Sequence, residues 1–138
     1  LKVKNEGINI TIHAGEGDGV HSIQEALDNG AKRIGHGVRI IEDINDDNKL
    51  GPTADYVLQN NIPLEVCITS NLHTNMYSSP QEHPISRLHN LGFNISLNTD
   101  NRLMSNTSIN KELKIAKLAG VENPTSLLKY SASDSFLN

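Results

Sequence analysis

The sequence has one cysteine, no long apolar run and no concentration of positive charge, and each of these absences excludes something. Cys67 has no second cysteine to pair with, so an internal disulfide framework is excluded and a reducing, cytoplasmic compartment is expected. No apolar stretch is long enough to span a bilayer, so we predict no membrane partner. The net charge of -4 and the lack of a basic stripe argue against a nucleic-acid partner.

The chain is also short and lean in apolar residues. It has 138 residues, of which 36% are hydrophobic, so it holds one domain at most. Its first residue is Leu1 and not methionine, and a strand pattern begins a few residues later. We therefore expect residues 1–138 to be a piece of a longer protein.

The residues around His13 are the clearest candidates for a functional site. Residues 8–12 alternate apolar and polar side chains, several of them β-branched, which predicts a strand. This strand leads into His13, then small residues, then Glu16 and a glycine-rich turn. Enzymes with parallel sheets place catalytic side chains at the carboxyl ends of their strands. A histidine and a carboxylate at such a strand end therefore indicate a reactive centre.

Three further strands are predicted, and each also leads into polar or ionisable residues. They are 33–38 with His36, 64–68 followed by 69–71, and 93–97 followed by 98–101. Each strand is followed by a segment with a helical spacing of apolar residues. This alternation favours βαβ units and an α/β fold with a parallel sheet, whose strand ends meet at one face. Glycines on both sides of His36 indicate that the backbone there passes close to a bulky group, either a ligand or another strand.

Local signals predict where helices begin and where a loop covers the site. Ser22 and Glu25 match a capping box near the start of the first helix. Pro52 suits a first helical position, and Ser108 is a candidate N-cap. Residues 72–80 are polar and leave from the face that carries the histidines, so they are a candidate wall or lid over a pocket.

The number of strands is too small for a closed barrel. A complete (β/α)8 barrel needs roughly 250 residues, and this chain holds about half of that. Four parallel strands alone would leave two open sheet edges, which proteins normally avoid. We therefore expect partners for these edges in sequence outside this chain.

His13, Glu16, His36 and Asp100 are the residue types of a hydrolytic metal site. Histidine nitrogen and aspartate oxygen suit zinc, an unbound glutamate nearby can transfer protons, and a further histidine can orient or deprotonate a bound water. A catalytic zinc generally takes at least three protein ligands. If Glu16 and His36 are catalytic, this chain supplies only His13 and Asp100 as ligands, and the others must lie in sequence outside it.

Several segments in series resemble those of the adenosine deaminase family of zinc hydrolases. The principal ones are 13–16 (HAGE), 33–37 (RIGHG) and 96–100 (SLNTD), in the family's order and at comparable spacing. Shorter matches are 65–67, 70–71, 83–85, Gly92 and 133–136. Residues 98–105 are similar to the bacterial adenosine deaminase branch in particular.

The resemblance implies that residues 1–138 are the carboxyl-terminal half, strands five to eight, of a single TIM-barrel domain. The family's His-x-His pair on the first strand, which provides two zinc ligands, has no counterpart in this sequence. This agrees with the ligand count made above from the residues alone. The amino-terminal half of the barrel is therefore an expected partner of this chain.

The resemblance also implies a role for each site residue. His13 and Asp100 would be zinc ligands, and Asp100 would also take a proton from the attacking water. Glu16 would protonate the purine ring nitrogen next to the carbon under attack, while His36 would position the attacking hydroxide. The implied reaction converts adenosine to inosine and ammonia, or deoxyadenosine to deoxyinosine and ammonia.

Asn101 departs from the acidic pair that is common in the family. An aspartate there must be protonated to donate to an unprotonated purine nitrogen, whereas an asparagine amide donates at any pH. We therefore still expect Asn101 to bind substrate.

Two other interpretations stay open. One is a deaminase of adenine or of a modified adenosine, because the residues that contact the ribose are expected largely in the missing half. The other is a non-catalytic fragment that binds a purine or a protein partner without turnover. Under the leading interpretation the intact protein is active, whereas the isolated chain holds zinc weakly and does not deaminate.

Overall fold

Four short parallel strands form the sheet of the computed structural model, which describes residues 6–128. The strands are β1 (Thr11–Ala14), β2 (Arg33–His36), β3 (Leu64–Val66) and β4 (Ile95–Leu97), paired in the order β1-β2-β3-β4. All three pairings are parallel, and the register places His13 opposite Gly35. The predicted parallel α/β sheet is confirmed, and the carboxyl ends of its strands share one edge.

Helices separate the strands along the chain. They are α1 (Val20–Asp28), α2 (Pro52–Gln59), α3 (Ile68–His73), α4 (Ile85–Asn90) and α5 (Ile109–Leu118). Shorter 3₁₀ helices occupy Val38–Asp43, Pro80–Glu82 and Pro124–Leu128. The predicted alternation of strand and helix is confirmed, and α3 is an addition, because it occupies residues that were predicted to end a strand and begin a loop.

The first strand begins later than its alternating pattern predicted. Residues 8–10 lie outside the strand, and β1 starts where Thr11 pairs with Arg33 of β2. His13 consequently lies within the strand instead of after it. Alternation shows which side chains share a face, but pairing depends on where the neighbouring strand begins.

Two of the three predicted helix starts are confirmed. Pro52 is the first residue of α2, and the side chain of Ser108 caps α5 by accepting a backbone N–H. The capping box of Ser22 and Glu25 is wrong, because α1 begins directly after Gly19 and no described side chain caps it. Ser22 Oγ–H instead donates to the Gly19 carbonyl at 2.7 Å.

The apolar core lies where the sheet packs against its helices. Ile34, Leu64 and Ile95 of the strands are fully buried together with Ile23 of α1 and Leu88 of α4. Truncation of such a side chain to alanine costs about 2–5 kcal/mol of stability. This packing fixes the strands and therefore the positions of the side chains at their carboxyl ends.

The edges of the sheet are open within residues 6–128. There β1 pairs only with β2, and β4 pairs only with β3. The same range contains no helix with the length and apolar character needed to cross a membrane. Residues 133–136, which contributed to the family resemblance, lie outside the described residues.

Candidate active site

His13 extends from β1 over the neighbouring strand. A Cβ atom added at Gly35 would lie 3.0 Å from His13 Cδ2, which is tighter than ordinary van der Waals contact. The glycine before His36 therefore makes room for the His13 ring. This confirms the prediction that the backbone beside His36 passes close to a bulky group.

His36 ends β2 in the left-handed backbone region, with a φ of 62°, and Gly37 follows with a φ of 69°. Such a conformation costs a non-glycine residue about 1–3 kcal/mol and persists only where the surroundings enforce it. The residue is 2% exposed, and the centroid of its ring is 5.4 Å from that of His13. Burial lowers the pKa of His36, against the opposing effect of the Glu16 and Asp100 carboxylates.

Glu16 reaches His36 from the turn that follows β1. Its Oε2 atom lies 3.4 Å from His36 Nε2, and its side chain is 26% exposed. The turn is held against α1 because Gly15 N–H donates to Ser22 Oγ at 2.9 Å. Gly15 has a φ of 64°, and a Cβ atom there would lie 2.5 Å from Ile23 Cδ1. Glycine is therefore required to direct Glu16 toward the histidines.

Asp100 follows β4 in a second left-handed conformation, with a φ of 55°. Ser70 Oγ–H of α3 donates to Asp100 Oδ2 at 2.7 Å. A short hydrogen bond to a carboxylate is strong and fixes the rotation of the group. The side chain is exposed, so the other carboxylate oxygen can reach a ligand in the cleft.

Asn101 caps the turn that follows Asp100. Its Oδ1 atom accepts hydrogen bonds from the N–H groups of Leu103 at 3.1 Å and Met104 at 3.0 Å. Because the oxygen is engaged with the backbone, the amide nitrogen is the group that can contact another molecule. That nitrogen is a donor, as the expected contact with a purine nitrogen requires.

A cavity of about 160 Å³ connects three of the four predicted metal and catalytic residues. It is lined by His13, Gly35, His36, Glu65, Cys67, Asn98 and Asp100. An adjoining cavity is lined by His13 and Glu16, so the structure brings all four residues together at the carboxyl edge of the sheet. Asn101 is next to Asp100 but lines neither cavity among the described residues. A larger surface groove of about 610 Å³ along α4 holds none of the four.

His13 and Asp100 offer the nitrogen and oxygen donors that zinc binds in proteins. Among residues 6–128, however, no three His, Cys, Asp or Glu side chains are arranged to hold a metal ion. The Cys67 thiol in the same cavity stays protonated at neutral pH, because burial raises its pKa to about 12. The donor types therefore fit zinc, and a complete zinc site needs ligands from outside the described residues.

Helix α3 supplies two polar side chains to which the sequence analysis assigned no role. Ser70 holds Asp100, and Asn71, which is fully buried, bridges two histidines. Its Nδ2 atom lies 3.3 Å from His36 Nδ1, and its Oδ1 atom lies 3.2 Å from His83 Nε2. The family resemblance included 70–71 and 83–85, and that was the available signal for these residues.

The loop predicted to cover the pocket does not line it in the described structure. Its first two residues complete α3, and none of residues 72–80 lines either cavity that holds the predicted site residues. Met76 and Tyr77 line a separate small cavity with Arg39 and Glu42. Residues 72–80 are therefore neighbours of the site and not its wall.

The sequence model of the adenosine deaminase family matches residues 2–130. The chain belongs to the adenosine deaminase family. Adenosine deaminase 1 of Streptomyces coelicolor is 51% identical to it over 117 residues, which cover 81% of this chain and 30% of that protein. The adenosine deaminase of Mycobacterium leprae is 46% identical over 116 residues, which cover 80% and 32%. The chain thus spans about a third of the length of these relatives.

Solved structures of related proteins share the fold. An adenine deaminase from Arthrobacter aurescens matches with a TM-score of 0.83 at 24% identity, over 99% of this chain and 41% of that chain. An N6-methyl-AMP deaminase from Arabidopsis thaliana matches with a TM-score of 0.78 at 27% identity, over 99% and 39%. An amidohydrolase from Burkholderia ambifaria, solved with bound Zn, matches with a TM-score of 0.76 at 19% identity, over 97% and 37%. The fold of the chain is therefore TIM-barrel-like.

Proposed function

We propose that residues 1–138 form strands five to eight of a (β/α)8 barrel domain whose complete form uses zinc in the hydrolytic deamination of adenosine to inosine and ammonia, or of deoxyadenosine to deoxyinosine and ammonia. Membership of the adenosine deaminase family supports the reaction class. The observation that carries the proposal is the meeting of His13, Glu16, His36 and Asp100 at the carboxyl edge of one sheet. These side chains provide metal donors and proton-transfer groups within one cleft.

His13 and Asp100 would hold zinc together with ligands from the rest of the barrel. Bound zinc lowers the pKa of a water to about 7 and so supplies a nucleophile at neutral pH. Asp100 would accept a proton from the attacking water. Ser70 orients this carboxylate for both roles through its hydrogen bond to Oδ2.

Glu16 and His36 would act on the two reacting centres of the substrate complex. Glu16 would give a proton to the purine ring nitrogen, which makes the adjacent carbon more electrophilic. His36 would orient the attacking oxygen and stabilise the charge that develops on it. Glu16 Oε2 lies 3.4 Å from His36 Nε2, so both groups can act at one site. Asn101 would donate a hydrogen bond from its amide nitrogen to the purine.

Reconstitution tests the proposal most directly. Residues 1–138 are co-expressed with the amino-terminal portion of the same protein, and zinc content and loss of adenosine absorbance are measured. We expect zinc and turnover in the complex and neither in the isolated chain. Turnover by the isolated chain, or a zinc-loaded complex that leaves adenosine unchanged, would overturn the proposal.

Glu16→Gln tests the proton donor within the same complex. The amide keeps the size of the side chain but cannot donate an acidic proton, so kcat should fall by about 10²–10⁴-fold while zinc is retained. Glu122→Gln makes the same change at an exposed position and serves as the control. Full activity of Glu16→Gln would remove Glu16 from the mechanism.

A second candidate substrate class has support in the structural neighbours. Two of them are named as an adenine deaminase and an N6-methyl-AMP deaminase. The relatives at 51% and 46% identity are named as adenosine deaminases, and this closer likeness favours adenosine. A comparison of kcat/KM for adenosine, deoxyadenosine, adenine and N6-methyl-AMP decides between these classes. Turnover of none of them by the zinc-loaded complex would favour the non-catalytic interpretation.

A further inference from the structure

A buried histidine outside the reactive cleft has a proton position fixed by the backbone. His83 is 3% exposed, and its Nδ1 atom accepts a hydrogen bond from the N–H group of Ile85 at 3.2 Å. A backbone amide can only donate through its nitrogen, so Nδ1 must carry a lone pair. Burial lowers the pKa of His83 to about 4, so the ring is neutral at pH 7. A neutral ring with an unprotonated Nδ1 carries its hydrogen on Nε2.

That hydrogen fixes the orientation of the Asn71 amide. His83 Nε2–H faces Asn71 Oδ1 at 3.2 Å, and a donor there requires an acceptor. The amide nitrogen of Asn71 therefore lies on the opposite side, 3.3 Å from His36 Nδ1 and 3.4 Å from Met76 Sδ. Both of these atoms can accept a hydrogen bond, so the orientation satisfies every neighbour. Asn71 is completely buried, and no water is needed to complete this set of bonds.

The amide of Asn71 determines the tautomer of His36 in turn. An amide nitrogen donates and does not accept, so His36 Nδ1 must be unprotonated. The hydrogen of the neutral ring is then on Nε2, which faces Glu16 Oε2 at 3.4 Å. Each donor in this series points toward the cleft, from Ile85 N–H through His83 and Asn71 to His36.

We propose that His83 and Asn71 are positioning residues that hold His36 in the tautomer with hydrogen on Nε2. The inference rests on the proposed function for its catalytic consequence, because Nε2 is the His36 atom that faces Glu16. In this tautomer His36 enters the reaction as a hydrogen-bond donor to the attacking oxygen, and the charge that develops there is stabilised by a fixed N–H dipole. The direction of the bonds matters, and not merely the space that the two side chains fill.

Asn71→Asp tests the direction of the bonds with almost no change of shape. A carboxylate accepts from both sides, so it should draw the hydrogen of His36 onto Nδ1. Side-chain ¹H–¹⁵N correlation spectra of the intact protein at neutral pH report which nitrogen is protonated. We expect a protonated Nε2 and an unprotonated Nδ1 for His36 in the wild type, and a protonated Nδ1 in Asn71→Asp. In the active complex kcat should fall by about 10- to 100-fold with KM little changed.

His83→Gln and His83→Phe provide an independent test if Asn71→Asp does not fold. Glutamine can still donate an N–H to Asn71, whereas phenylalanine fills space and donates nothing. In His83→Gln we expect His36 to keep its hydrogen on Nε2 and the active complex to keep most of its kcat. In His83→Phe we expect the Nε2 tautomer to lose its preference and kcat to fall. His89→Phe makes the same change six residues later, in helix α4, and is the matched control that should leave the His36 signals unchanged.

The spectra separate this inference from the proposed function. A wild-type His36 with its hydrogen on Nδ1, or unchanged His36 signals in both Asn71→Asp and His83→Phe, would refute the positioning role. Correct tautomers in a zinc-loaded complex that fails to deaminate would instead refute the proposed function and leave the hydrogen-bond chain intact. Asn94→Asp, which places a carboxylate at another buried asparagine, controls for destabilisation alone.

Discussion

The two left-handed residues of the site, His36 and Asp100, have very different surroundings. The His36 side, formed by His13, Glu16, His36, Asn71 and His83, is packed and hydrogen-bonded by elements of this chain, and His36 is 2% exposed. The Asp100 loop, residues 98–105, is mostly exposed, and Leu103 and Met104 are 90% and 80% exposed. Residues of this chain therefore bury His36 almost completely, whereas the middle of the Asp100 loop is exposed to solvent.

The segment that follows the Asp100 loop is held by the buried carboxylate of Glu112. Glu112 of α5 is fully buried and accepts hydrogen bonds from Thr107 Oγ1 at 2.7 Å and from Thr69 N–H at 3.2 Å. These bonds join the segment after the loop to the first turn of α3. Since Ser70 of α3 holds Asp100, one helix supports both sides of the site.

The largest effect is expected from Asp100→Asn, which tests whether the open loop serves catalysis more than stability. Loss of the carboxylate should lower kcat of the intact protein by about 10²–10⁴-fold, or about 3–5 kcal/mol in the barrier. Unfolding free energy should fall by no more than about 1–2 kcal/mol, because asparagine tolerates a positive φ and its Oδ1 atom can still accept the Ser70 hydrogen bond, though more weakly than a carboxylate. Asp46→Asn, at another exposed position, is the control. Normal turnover by Asp100→Asn would show that the loop is not part of the reactive centre.

The free energy of unfolding should depend on pH because His83, on the His36 side, is buried. Unfolded His83 binds a proton near pH 6.5, whereas burial lowers its pKa in the folded state to about 4. Between these values the unfolded chain binds more protons, so stability is lost as pH falls from 6.5 toward 4, by about 3 kcal/mol in total. Urea unfolding of wild type and His83→Gln over this range measures the difference. Parallel pH profiles for the two proteins would contradict the buried, neutral state of His83.

Gly35→Ala should have an intermediate effect on the His36 side. The added methyl group would lie 3.0 Å from the His13 ring, so the ring must shift or the strands must separate. We expect a loss of about 1–3 kcal/mol in unfolding free energy, together with weaker zinc binding by the intact protein. Gly17→Ala is the matched control, because nothing lies within 4 Å of a Cβ atom at that position. Equal stability of the two variants would mean that the His13 ring is not packed on Gly35.

The smallest effect is expected for Leu103→Ser and Met104→Ser in the isolated chain. These side chains are so exposed that unfolding free energy should change by no more than about 0.5 kcal/mol. In the protein assembled with its amino-terminal portion, the same substitutions should weaken association if that portion covers the loop. Leu88→Ala, in the core, should cost about 2–5 kcal/mol in either state. A large loss of unfolding free energy in Leu103→Ser of the isolated chain would show that the Asp100 loop is packed and not open.

The strands could be predicted because their signals are local. Apolar patterns and the alternation with helices identified the four strands and their parallel arrangement, although β1 begins at Thr11 and not at residue 8. Helix α3 was missed because Ile68 continues the apolar run of the strand before it, so the helical pair in ITSNLH, Ile68 and Leu72, was divided between a predicted strand and a predicted loop. The capping box failed because Ser22 bonds to Gly15 and Gly19, and that contact exists only once β1 and α1 are packed.

The site could be predicted in its residue types but not in its connections. His13, Glu16, His36 and Asp100 stand out because they are ionisable residues at strand ends. The bonds from Ser70 and Asn71 are invisible in the sequence, because they depend on how α3 packs against β2 and the loop after β4. His83 is separated from His36 along the chain, and only the fold brings Asn71 between them.

The hydrogen-bond chain to His36 begins at the amide of Ile85, and this has a consequence for mutational surveys. The Ile85 side chain is fully buried, so substitutions there would be scored for packing alone. Nineteen of the encoded amino acids keep the N–H group, and only proline removes it. The tautomer of His36 is thus insensitive to every substitution at position 85 except proline, and a survey without proline would show only the contribution of Ile85 to packing.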